Sequence, residues 1–320
     1  MTYDVVALGE LLIDFTENGV SNQGNPLFEA NPGGAPCNLL AMLSNLGRRC
    51  AFIGKVGDDM FGRQLRAALQ ECGISTEALF TDPKAPTTLA FVKNAPNGER
   101  EFSFLRDNGA DIRLRAEDLP REMLQNTRIF HYGSLSMTHE GIRCATREAI
   151  ALAKESSALL SFDPNLRPAL WKSLAAAKAQ IAWGLGQCDI LKIADNELAF
   201  LTGETDLLLG AEVLRRQYPN IHLMCVTAGV SGSYAFCGNY SVYRNAFRLG
   251  GTIDTTGAGD TFGGCVLHHV LRHGLDGLDE ASLGQMLAFA NAAAYLVTTR
   301  KGALRSMPDP AAIEAVLHQR

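Results

Sequence analysis

With 320 residues, 47% of them hydrophobic and 20% charged, the chain can bury a substantial core, and this composition excludes a disordered protein. Its formal net charge of -5 excludes the broad positive field that attracts nucleic acid or anionic lipid. The chain has no uncharged apolar run of the roughly 18 residues that cross a bilayer, and its first residues lack the positive region of a signal peptide. We therefore expect a cytoplasmic protein without a nucleic-acid or membrane partner.

The cysteines are scattered along the chain and form no C-x-x-C pair that would indicate a zinc site or a redox centre. We expect buried free thiols at every cysteine position. These positions are Cys37, Cys50, Cys72, Cys144, Cys188, Cys225, Cys237 and Cys265.

Short runs of β-branched and apolar residues alternate with longer segments of helical periodicity. This alternation predicts an α/β fold in which βαβ units build a mainly parallel sheet. The predicted core strands are residues 4–8, 50–56, 128–132, 159–162, 190–193 and 222–226. Three predicted helices have readable ends: one capped by Asp58 that stops near residue 73, one capped by Thr138 that runs toward residue 154, and one from Gly257 to Gly274.

Two segments, about residues 10–30 and 87–105, break this rhythm. Within the second, the runs 89–93 and 100–104 flank a turn with Asn97 and Gly98, which is a signal for a β-hairpin. Strands outside the alternating pattern predict a small β-sheet that lies over the main sheet as a lid. Because no Gly/Ser linker, charge block or repeat divides the chain, we expect one domain of residues 1–320 with both lid segments inserted in it.

The most informative segment is residues 254–260, Asp-Thr-Thr-Gly-Ala-Gly-Asp, which leads into an apolar helical run. The first turn of a helix has backbone N–H groups without intrahelical partners, and glycine lets another group approach them closely. Gly257, Ala258 and Gly259 are therefore predicted to form an anion cradle. Such a cradle stabilises charge that develops on a transferring phosphoryl group.

Asp260 lies in the same first turn, where the helix dipole favours a carboxylate by about 0.3 to 1 kcal/mol and keeps it ionised. Beside an anion cradle, an ionised carboxylate can take the proton of an attacking hydroxyl, a role worth roughly 10² to 10⁴-fold in rate. In isolation the same residues also fit a capping aspartate and a tight turn. A P-loop is excluded because G-x-x-x-x-G-K-[ST] does not occur, and the glycine spacing does not fit a Rossmann dinucleotide site.

A second segment, residues 31–38 (Asn-Pro-Gly-Gly-Ala-Pro-Cys-Asn), opens the first long helix. Its two glycines, Gly33 and Gly34, leave the backbone accessible to a polyol, and Asn38 offers both a donor and an acceptor. Alone, this segment also fits a plain turn with a helix cap. Paired with residues 254–260, it indicates a sugar site.

Together the two segments resemble the signatures of the ribokinase-like (PfkB) carbohydrate kinase family, one near each end of the chain. Intermediate landmarks extend the resemblance over essentially the whole chain. They are Gly-Lys-Val-Gly-Asp-Asp-Met-Phe-Gly at 54–62, Phe-Asp-Pro-Asn-Leu-Arg-Pro-Ala-Leu-Trp at 162–171, Thr-Ala-Gly-Val-Ser-Gly-Ser at 227–233 and Thr-Arg-Lys-Gly-Ala at 299–303. The resemblance implies an ATP-dependent sugar kinase with a three-layer α/β sandwich, a mainly parallel central sheet and a small β-sheet lid.

The resemblance also implies roles for individual residues. Asp260 would be the general base, with Gly257, Ala258 and Gly259 as the anion hole. The sugar would be bound by Asp14, Gly33, Gly34, Asn38, Phe104, Arg106 and Arg167. The nucleotide would be bound by Asn165, Lys192, Thr227, Gly229, Gly232 and Asn291.

Two metal sites are implied in the same way. Many relatives carry an N-x-x-E motif that organises magnesium and phosphate, and Glu197 matches its carboxylate, whereas Ala194 stands where the asparagine would be. We expect ATP with Mg²⁺ as cofactors, with Glu197 contacting the Mg²⁺ through water. A K⁺ site is a further expectation, and its residues would be Asp254, Thr256, Gly302 and Ser306.

Among branches of the family, segments 163–171 and 102–111 look most like those of fructokinases, which makes D-fructose, phosphorylated at O6, the expected substrate. Kinases of 2-keto-3-deoxygluconate share much of this pattern, and Arg106 and Arg167 would suit the carboxylate of that sugar. The same arginines also fit a role against ATP phosphates, or ion pairs with Asp107 and Asp163. Riboside kinases are a further alternative.

Two classes outside the kinases also fit parts of the sequence. A non-catalytic sugar-binding regulator on a kinase scaffold would have lost its base, whereas Asp260 and its glycines are intact. An NAD-dependent dehydrogenase has only the α/β alternation in its favour, which is an analogy of fold without a site. Since lid strands in the family often pair between subunits, the resemblance also implies a homodimer through the lid.

Overall fold

The structure is a computed structural model that describes residues 2–94 and 100–319, and the side chains of these residues except 93–94 and 100–102. The strands are β1 (Tyr3–Leu8), β2 (Leu12–Val20), β3 (Pro26–Gly33), β4 (Cys50–Gly57), β5 (Leu79–Asp82), β6 (Leu89–Asn94), β7 (Arg100–Leu105), β8 (Thr127–Gly133), β9 (Leu159–Asp163), β10 (Ile190–Ala194), β11 (Leu223–Thr227), β12 (Ser233–Cys237) and β13 (Tyr240–Arg244). The helices are α1 (Ala35–Asn45), α2 (Met60–Glu71), α3 (Arg121–Gln125), α4 (Glu140–Glu155), α5 (Leu174–Leu185), α6 (Asp195–Thr202), α7 (Leu207–Gln217), α8 (Ala258–His273), α9 (Glu280–Thr298) and α10 (Pro310–Leu317).

Nine strands form a central sheet in the order β13-β12-β11-β10-β9-β8-β1-β4-β5. The seven strands from β11 to β5 in this order pair in parallel, whereas β12 and β13 add an antiparallel hairpin at one edge. Each of the six predicted core strands is present, with its ends within one residue of the prediction. The predicted mainly parallel sheet is confirmed.

The parallel strands at the centre of the sheet are buried on both faces, as their apolar character requires, whereas the edge strand β13 is largely exposed. Val5, Val6, Ala7 and Leu8 in β1 are all fully buried. One apolar cluster fills the space between the sheet and α1, α2, α8, α9 and α10, and a second cluster packs α3 to α7 against the opposite face. The result is the three-layer sandwich that the resemblance implied.

Two of the predicted helix caps were wrong. The carboxylate of Asp59, not Asp58, caps α2, since its Oδ1 accepts from the N–H of Gly62 at 2.8 Å. Helix α4 begins at Glu140, and the hydroxyl of Thr138 donates to the carbonyl of Leu135 instead of capping the helix. At α2 two neighbouring aspartates offer the same side chain, and only the path of the backbone decides which one faces the helix, whereas at α4 the N-cap residue is His139 and no side chain caps the helix.

A separate small sheet has the order β3-β2-β6-β7. The strands β2 and β6 pair in parallel, while β3 and β7 pair antiparallel with them on the outside. The rings of Phe15 and Phe91 stack at a centroid distance of 5.0 Å on this sheet. The predicted hairpin strands are confirmed, but the turn at Asn97 and Gly98 lies outside the described residues. That the whole chain acts as one domain stays a prediction.

The cysteines carry free thiols throughout. Five of them are buried as predicted, but Cys144 is exposed and Cys72 and Cys237 are half-buried. The expectation of complete burial was wrong for these three. Cys144 is exposed because it lies on the solvent side of α4.

Candidate active site

Two cavities meet at the N-terminal turn of α8. The first, which we call the polar cavity, has a volume of about 200 Å³ and lies between the small sheet and the central sheet; Asp14, Phe104 and Asp260 are among its walls. The second, the apolar cavity, has a volume of about 260 Å³ and lies between α8, α9 and the segment after β13. Thr255 and Gly259 line both cavities. A group held in one cavity can therefore reach a group held in the other across this turn.

The turn itself leaves backbone amides available. Gly257 has the left-handed φ of 79°, and a side chain at this position would approach Cβ of Ala303 to 2.8 Å. Both the backbone conformation and the lack of space therefore require glycine. The N–H of Ala258 donates to the carbonyl of Thr255 at 3.3 Å. Within the described part of the chain, no acceptor bonds to the N–H of Gly257 or Gly259. Two of the three predicted cradle amides are thus available to an anion, and the third makes a long bond within the turn.

The carboxyl of Asp260 lies at the floor of the polar cavity and is held by Asn38. Asn38 Nδ2 donates to Asp260 Oδ2 at 2.8 Å, across 222 positions of sequence. Burial raises the pKa of Asp260 to about 6, and the bond from Asn38 opposes the shift. The helix dipole does not keep this pKa low, as the sequence had suggested, because loss of hydration outweighs it. At neutral pH the carboxyl is still mostly ionised and can accept a proton.

One wall of the polar cavity is formed by Asp14, Gly34, Asn38 and Phe104, as predicted for a sugar site. Gly33 is not among the described residues of this wall, but its missing side chain leaves the space that the carboxylate of Asp14 occupies. At Gly34, φ is 131°, and a side chain would run into the backbone of residue 10. Both glycines therefore have a steric reason in the structure.

The two predicted arginines have different positions. Arg167 lines the polar cavity and is half-buried. Arg106 is not among the described residues that line either cavity, and its guanidinium is paired with Asp111 at 2.8 Å, with both side chains almost fully buried. This geometry contradicts the predicted direct contact between Arg106 and the sugar. The side chain of Arg106 lies under the small sheet, where its guanidinium is bonded to other protein groups.

The side chain of Lys192 places a positive charge beside the α8 turn. Its Nζ lies 3.0 Å from Asp163 Oδ2, and a side chain at Gly259 would approach this Nζ to 2.9 Å. Burial alone would lower the pKa of Lys192, but the carboxylates of Asp163, Glu197 and Asp260 outweigh it and raise the pKa above its ordinary value. Lys192 is therefore charged beside the available amide of Gly259. It lines the polar cavity together with Asn165, which has an unusual positive φ of 43°.

Glu197 lies behind Lys192 and lines neither cavity in the described part of the chain. Its two oxygens accept from the N–H groups of Leu166 at 2.6 Å and Ala194 at 2.9 Å. Burial raises its pKa, and the nearby carboxylate of Asp163 adds to the rise. A direct bond to a metal would have to compete with these amides. Among the described residues, no three side chains of His, Cys, Asp or Glu are arranged to hold a metal ion.

The four residues predicted for K⁺ lie close together beside the N-terminal turn of α8. Asp254 accepts from the N–H and hydroxyl of Thr256 with one oxygen and from the N–H of Gly302 with the other. Asp254, Thr256 and Gly302 line the polar cavity, whereas Ser306 is buried next to it and donates to the carbonyl of Lys301. Asp254 thus ties the loop before α8 to the loop after α9.

The apolar cavity contains the remaining predicted nucleotide residues, Thr227, Gly229, Gly232 and Asn291. The amide of Asn291 is fully engaged: Oδ1 accepts from Ser233 at 2.9 Å, and Nδ2 donates to the carbonyls of Arg244 and Asn245 at 3.2 Å. Asn291 therefore fixes the backbone after β13, which forms a wall of the cavity. Its side chain shapes this cavity through the wall that it holds.

Sequence reasoning missed several cavity residues. Glu10 lines the polar cavity, accepts from the N–H of Ala35 at 3.0 Å, and has a pKa that burial raises to about 7. Phe247 and Tyr295 give the apolar cavity its aromatic walls. Glu10 lies in the short link between β1 and β2, so no periodicity of the sequence marked it. Phe247 lies in a segment without regular structure, and only its three-dimensional position reveals it.

The chain is similar to carbohydrate kinases over almost its whole length. The model of the family "pfkB family carbohydrate kinase" matches residues 2–310. Fructokinase-1 of Zea mays is 42% identical over 311 residues, which are 97% of this chain and 96% of that protein. The structure of fructokinase with bound ATP from Xylella fastidiosa has a TM-score of 0.89 at 30% identity, with 99% of both chains covered. A fructokinase double mutant from Vibrio cholerae O395, in its fructose, ADP and potassium ion bound form, gives 0.88 at 30% identity and the same coverage.

The match to the carbohydrate kinase family and to fructokinases identifies the chain as a phosphotransferase that uses an alcohol group as acceptor. The chain belongs to the pfkB family of carbohydrate kinases.

The helices of the described residues are not long and apolar enough for any of them to cross a membrane.

Proposed function

We propose that this chain is an ATP-dependent fructokinase that transfers the γ-phosphoryl group of ATP to the hydroxyl on C6 of D-fructose. The support from relatives is broad, because proteins named fructokinase match at about 40% identity over nearly the whole chain. The single observation that carries the proposal is the position of Asp260, whose carboxyl stands between the polar cavity and the available amides of the α8 turn.

The polar cavity supplies the groups that a sugar needs. Asn38 donates to Asp260 and thereby orients it, while Asn38 Oδ1 is buried and has no hydrogen-bond partner among the described residues. A buried amide oxygen without a partner costs about 1 to 3 kcal/mol, which a sugar hydroxyl that donates to it would recover. Asp14 faces the same space. We assign the binding of sugar hydroxyls to Asp14 and Asn38, with the backbone of Gly34 beside them.

The proposed reaction begins with a bound sugar whose primary hydroxyl points at Asp260. Asp260 accepts the hydroxyl proton as the oxygen attacks the γ-phosphorus, and the bond between this phosphorus and the β,γ-bridging oxygen of ATP breaks. The N–H groups of Gly257 and Gly259, with the ammonium of Lys192, stabilise the negative charge on the moving phosphoryl group. The lid sheet above the cavity excludes water that would otherwise compete with the sugar.

The apolar cavity is assigned to the adenosine part of ATP. Phe247 and Tyr295 offer aromatic faces for the base, and Thr227 and Gly229 lie at the turn after β11 where the phosphates would pass toward Lys192. Mg²⁺ would neutralise part of the negative charge of the ATP phosphates. Glu197 and Asp163, the acidic groups beside Lys192, would hold it through water.

We also propose that K⁺ binds beside the α8 turn, at the loops that Asp254 holds together. The residues involved are the four predicted ones, Asp254, Thr256, Gly302 and Ser306, and carbonyl oxygens of these loops suit a large monovalent cation. A titration of KCl against NaCl at constant ionic strength tests this assignment. We expect K⁺ to raise kcat; equal rates in both salts would contradict it.

The sugar panel is the decisive experiment for the main proposal. ADP release is measured with D-fructose, 2-keto-3-deoxygluconate, ribose and an aminoimidazole riboside, and the product is identified by its phosphorus NMR spectrum. We expect the highest kcat/KM with fructose and phosphorylation at C6. A higher value for the acidic sugar would favour the alternative in which Arg167 binds a carboxylate, and no sugar-dependent turnover in the whole panel would leave a non-catalytic sugar binder.

A homodimer through the lid is a further proposal. The lid carries exposed apolar side chains, among them Val20 at 63%, Leu27 at 48% and Leu105 at 60% exposure. Strands β3 and β7 form the edges of the small sheet, and an apolar edge invites pairing with another copy. We expect Leu105→Glu to shift the mass in solution from dimer to monomer, whereas Leu208→Glu, on α7, should not. A wild-type monomer would contradict this proposal.

A cytoplasmic location also stays a proposal. It is supported by the free thiols of all eight cysteines, since disulfides are rare in reducing compartments.

A further inference from the structure

The base of the lid hairpin is held by a buried group of side chains that lies outside both cavities. Thr88 stands just before β6, Arg106 follows directly after β7, and Asp111 and Thr138 belong to the body beneath them. We call these four residues the lid-root cluster. All four are buried, with Arg106 at 3% and Asp111 at 1% exposure. The cluster therefore joins the two ends of the hairpin to the central part of the protein.

Arg106 uses its guanidinium in three directions. Its Nε donates to Asp111 Oδ2 at 2.8 Å, one terminal nitrogen donates to Thr138 Oγ1 at 3.0 Å, and the other donates to the carbonyl of Leu135 at 2.9 Å. A lysine ammonium is a single point of charge and cannot reach three acceptors that are arranged around a planar fork. The site is thus specific for arginine, beyond its need for a positive charge.

Asp111 connects the two strands of the hairpin. Its Oδ2 accepts from Arg106 after β7, and its Oδ1 accepts from the hydroxyl of Thr88 before β6 at 2.5 Å. The carbonyl of Thr88 in turn accepts from the N–H of Ile13 in β2 at 3.2 Å. Three of the four lid strands are consequently tied at one place.

The tied strands carry walls of the polar cavity. Phe104 lies two residues before Arg106 on β7, and Val92 lies on β6; both line the polar cavity. Leu135, whose carbonyl accepts from Arg106, lines it as well. A movement at the lid root would displace all three walls, while the α8 turn, which lies on another part of the fold, would keep its geometry.

We propose that Arg106 is a positioning residue for the sugar, which acts through Phe104, Val92 and Leu135 by holding the lid hairpin over the polar cavity. This inference rests on the proposed function of the polar cavity as the sugar site. A buried ion pair is by itself weak support for a gain in stability, because desolvation offsets most of the attraction. The pair lies at the root of the strands that cover the cavity, and a role in positioning these strands explains that location better than a general stabilising role does.

The test compares Arg106→Lys with Arg113→Lys. Arg113 belongs to the same segment after the hairpin and bonds to Asn108 at 2.9 Å, but it is not bonded to the lid root. For each variant, KM for fructose, KM for ATP, kcat and ADP release without sugar are measured. For Arg106→Lys we expect KM for fructose to rise by about tenfold and KM for ATP to change by less than about twofold. ADP release without sugar should also rise relative to turnover, because a displaced lid admits water.

Arg113→Lys should leave all four quantities within about twofold of the wild type. If Arg106→Lys fails to fold, Thr138→Val removes only one of the three acceptors and should still raise KM for fructose by about threefold. A folded Arg106→Lys or Thr138→Val protein with an unchanged KM for fructose would overturn the inference. Absence of fructose turnover in the wild type would instead contradict the proposed function, and the comparison would then be made with the sugar of the panel that the wild type does phosphorylate.

Discussion

The polar and the apolar cavity share the α8 turn but are built by opposite means. The polar cavity is defined by charged and amide groups that hold one another in place, as Asn38 holds Asp260. The apolar cavity is defined by shape, with Phe247, Phe262 and Tyr295 among its walls. In the first, removal of one polar group leaves another without its partner; in the second, a small change of the wall alters only the fit of the ligand.

This difference separates the two halves of a phosphoryl transfer. Chemical reaction at the sugar demands orientation of a base and an acceptor within tenths of an ångström, which hydrogen bonds to fixed groups supply. Binding of a nucleobase demands mainly a dry surface of the right width. Variants in the polar cavity should therefore lower kcat, and variants in the apolar cavity should change KM for ATP.

The largest effect is expected for Asp260→Asn, which keeps the shape and the contact with Asn38 but removes the base. We expect kcat to fall by about 10² to 10⁴-fold, while the affinity for ATP stays within about twofold. Initial rates of ADP release and a separate nucleotide-binding titration measure the two quantities. Asp279→Asn is the control, because Asp279 is also an aspartate at the start of a helix and accepts from the N–H of Ser282. If both variants lost the same activity, the loss would not identify Asp260 as the base.

Gly259→Ala tests the turn that both cavities share. A methyl group at this position would approach Lys192 Nζ to 2.9 Å and would crowd the available amide. Removal of one donor that stabilises a transition-state charge typically costs about 10² to 10³-fold in kcat, so we expect a loss near the lower end of this range. Gly210→Ala is a suitable control, since Gly210 is also inside a helix but lies away from both cavities. A kcat above about half of the wild-type value would argue against an anion hole at Gly259.

The pH profile follows from the burial of Asp260. Its pKa is raised to about 6, so the base is ionised above that pH and becomes protonated as the pH falls. We expect kcat/KM for fructose to be level near neutral pH and to fall about tenfold per unit of pH below about pH 6. An aspartate at its ordinary pKa would keep the rate level for about two further units. A rate that stayed level down to about pH 4.5, in protein shown to be folded there, would contradict the buried base.

The polar cavity was largely predictable from sequence because its key groups are concentrated in two short segments. Residues 254–260 contain the proposed base and the available amides together, and residues 31–38 contain the glycines and Asn38. Physical reasoning could recognise each group by its chemistry. It could not predict the direction in which a side chain points. Arg106 follows a lid strand, where we expected a sugar ligand, yet in the structure its side chain points toward Asp111. The direction of a side chain at the end of a strand depends on what packs beneath it.

The apolar cavity was less predictable because its residues are dispersed along the chain. Its walls come from β11, α8, α9 and the segment after β13, and apart from Asn291 no wall residue has a side chain with a distinctive chemistry. No short segment carries the combination, so Phe247 and Tyr295 had no signal of their own. The pKa of Asp260 was also beyond sequence reasoning, since the dipole of a helix can be inferred from position whereas burial cannot.

The smallest effect is expected on the apolar side, for Asn291→Ala. The three hydrogen bonds of Asn291 fix the wall after β13 without any catalytic group being involved, so the loss should appear as an increase of about three- to tenfold in KM for ATP. The kcat at saturating ATP and the KM for fructose should change by less than about twofold. Asn220→Ala provides the matched control, because Asn220 Nδ2 also donates to two backbone carbonyls, those of Leu185 and Cys188, but far from either cavity. If Asn291→Ala lowered kcat as strongly as the variants at the α8 turn, the apolar wall would take part in orienting the reacting groups, and the separation of the two cavities by mechanism would be wrong.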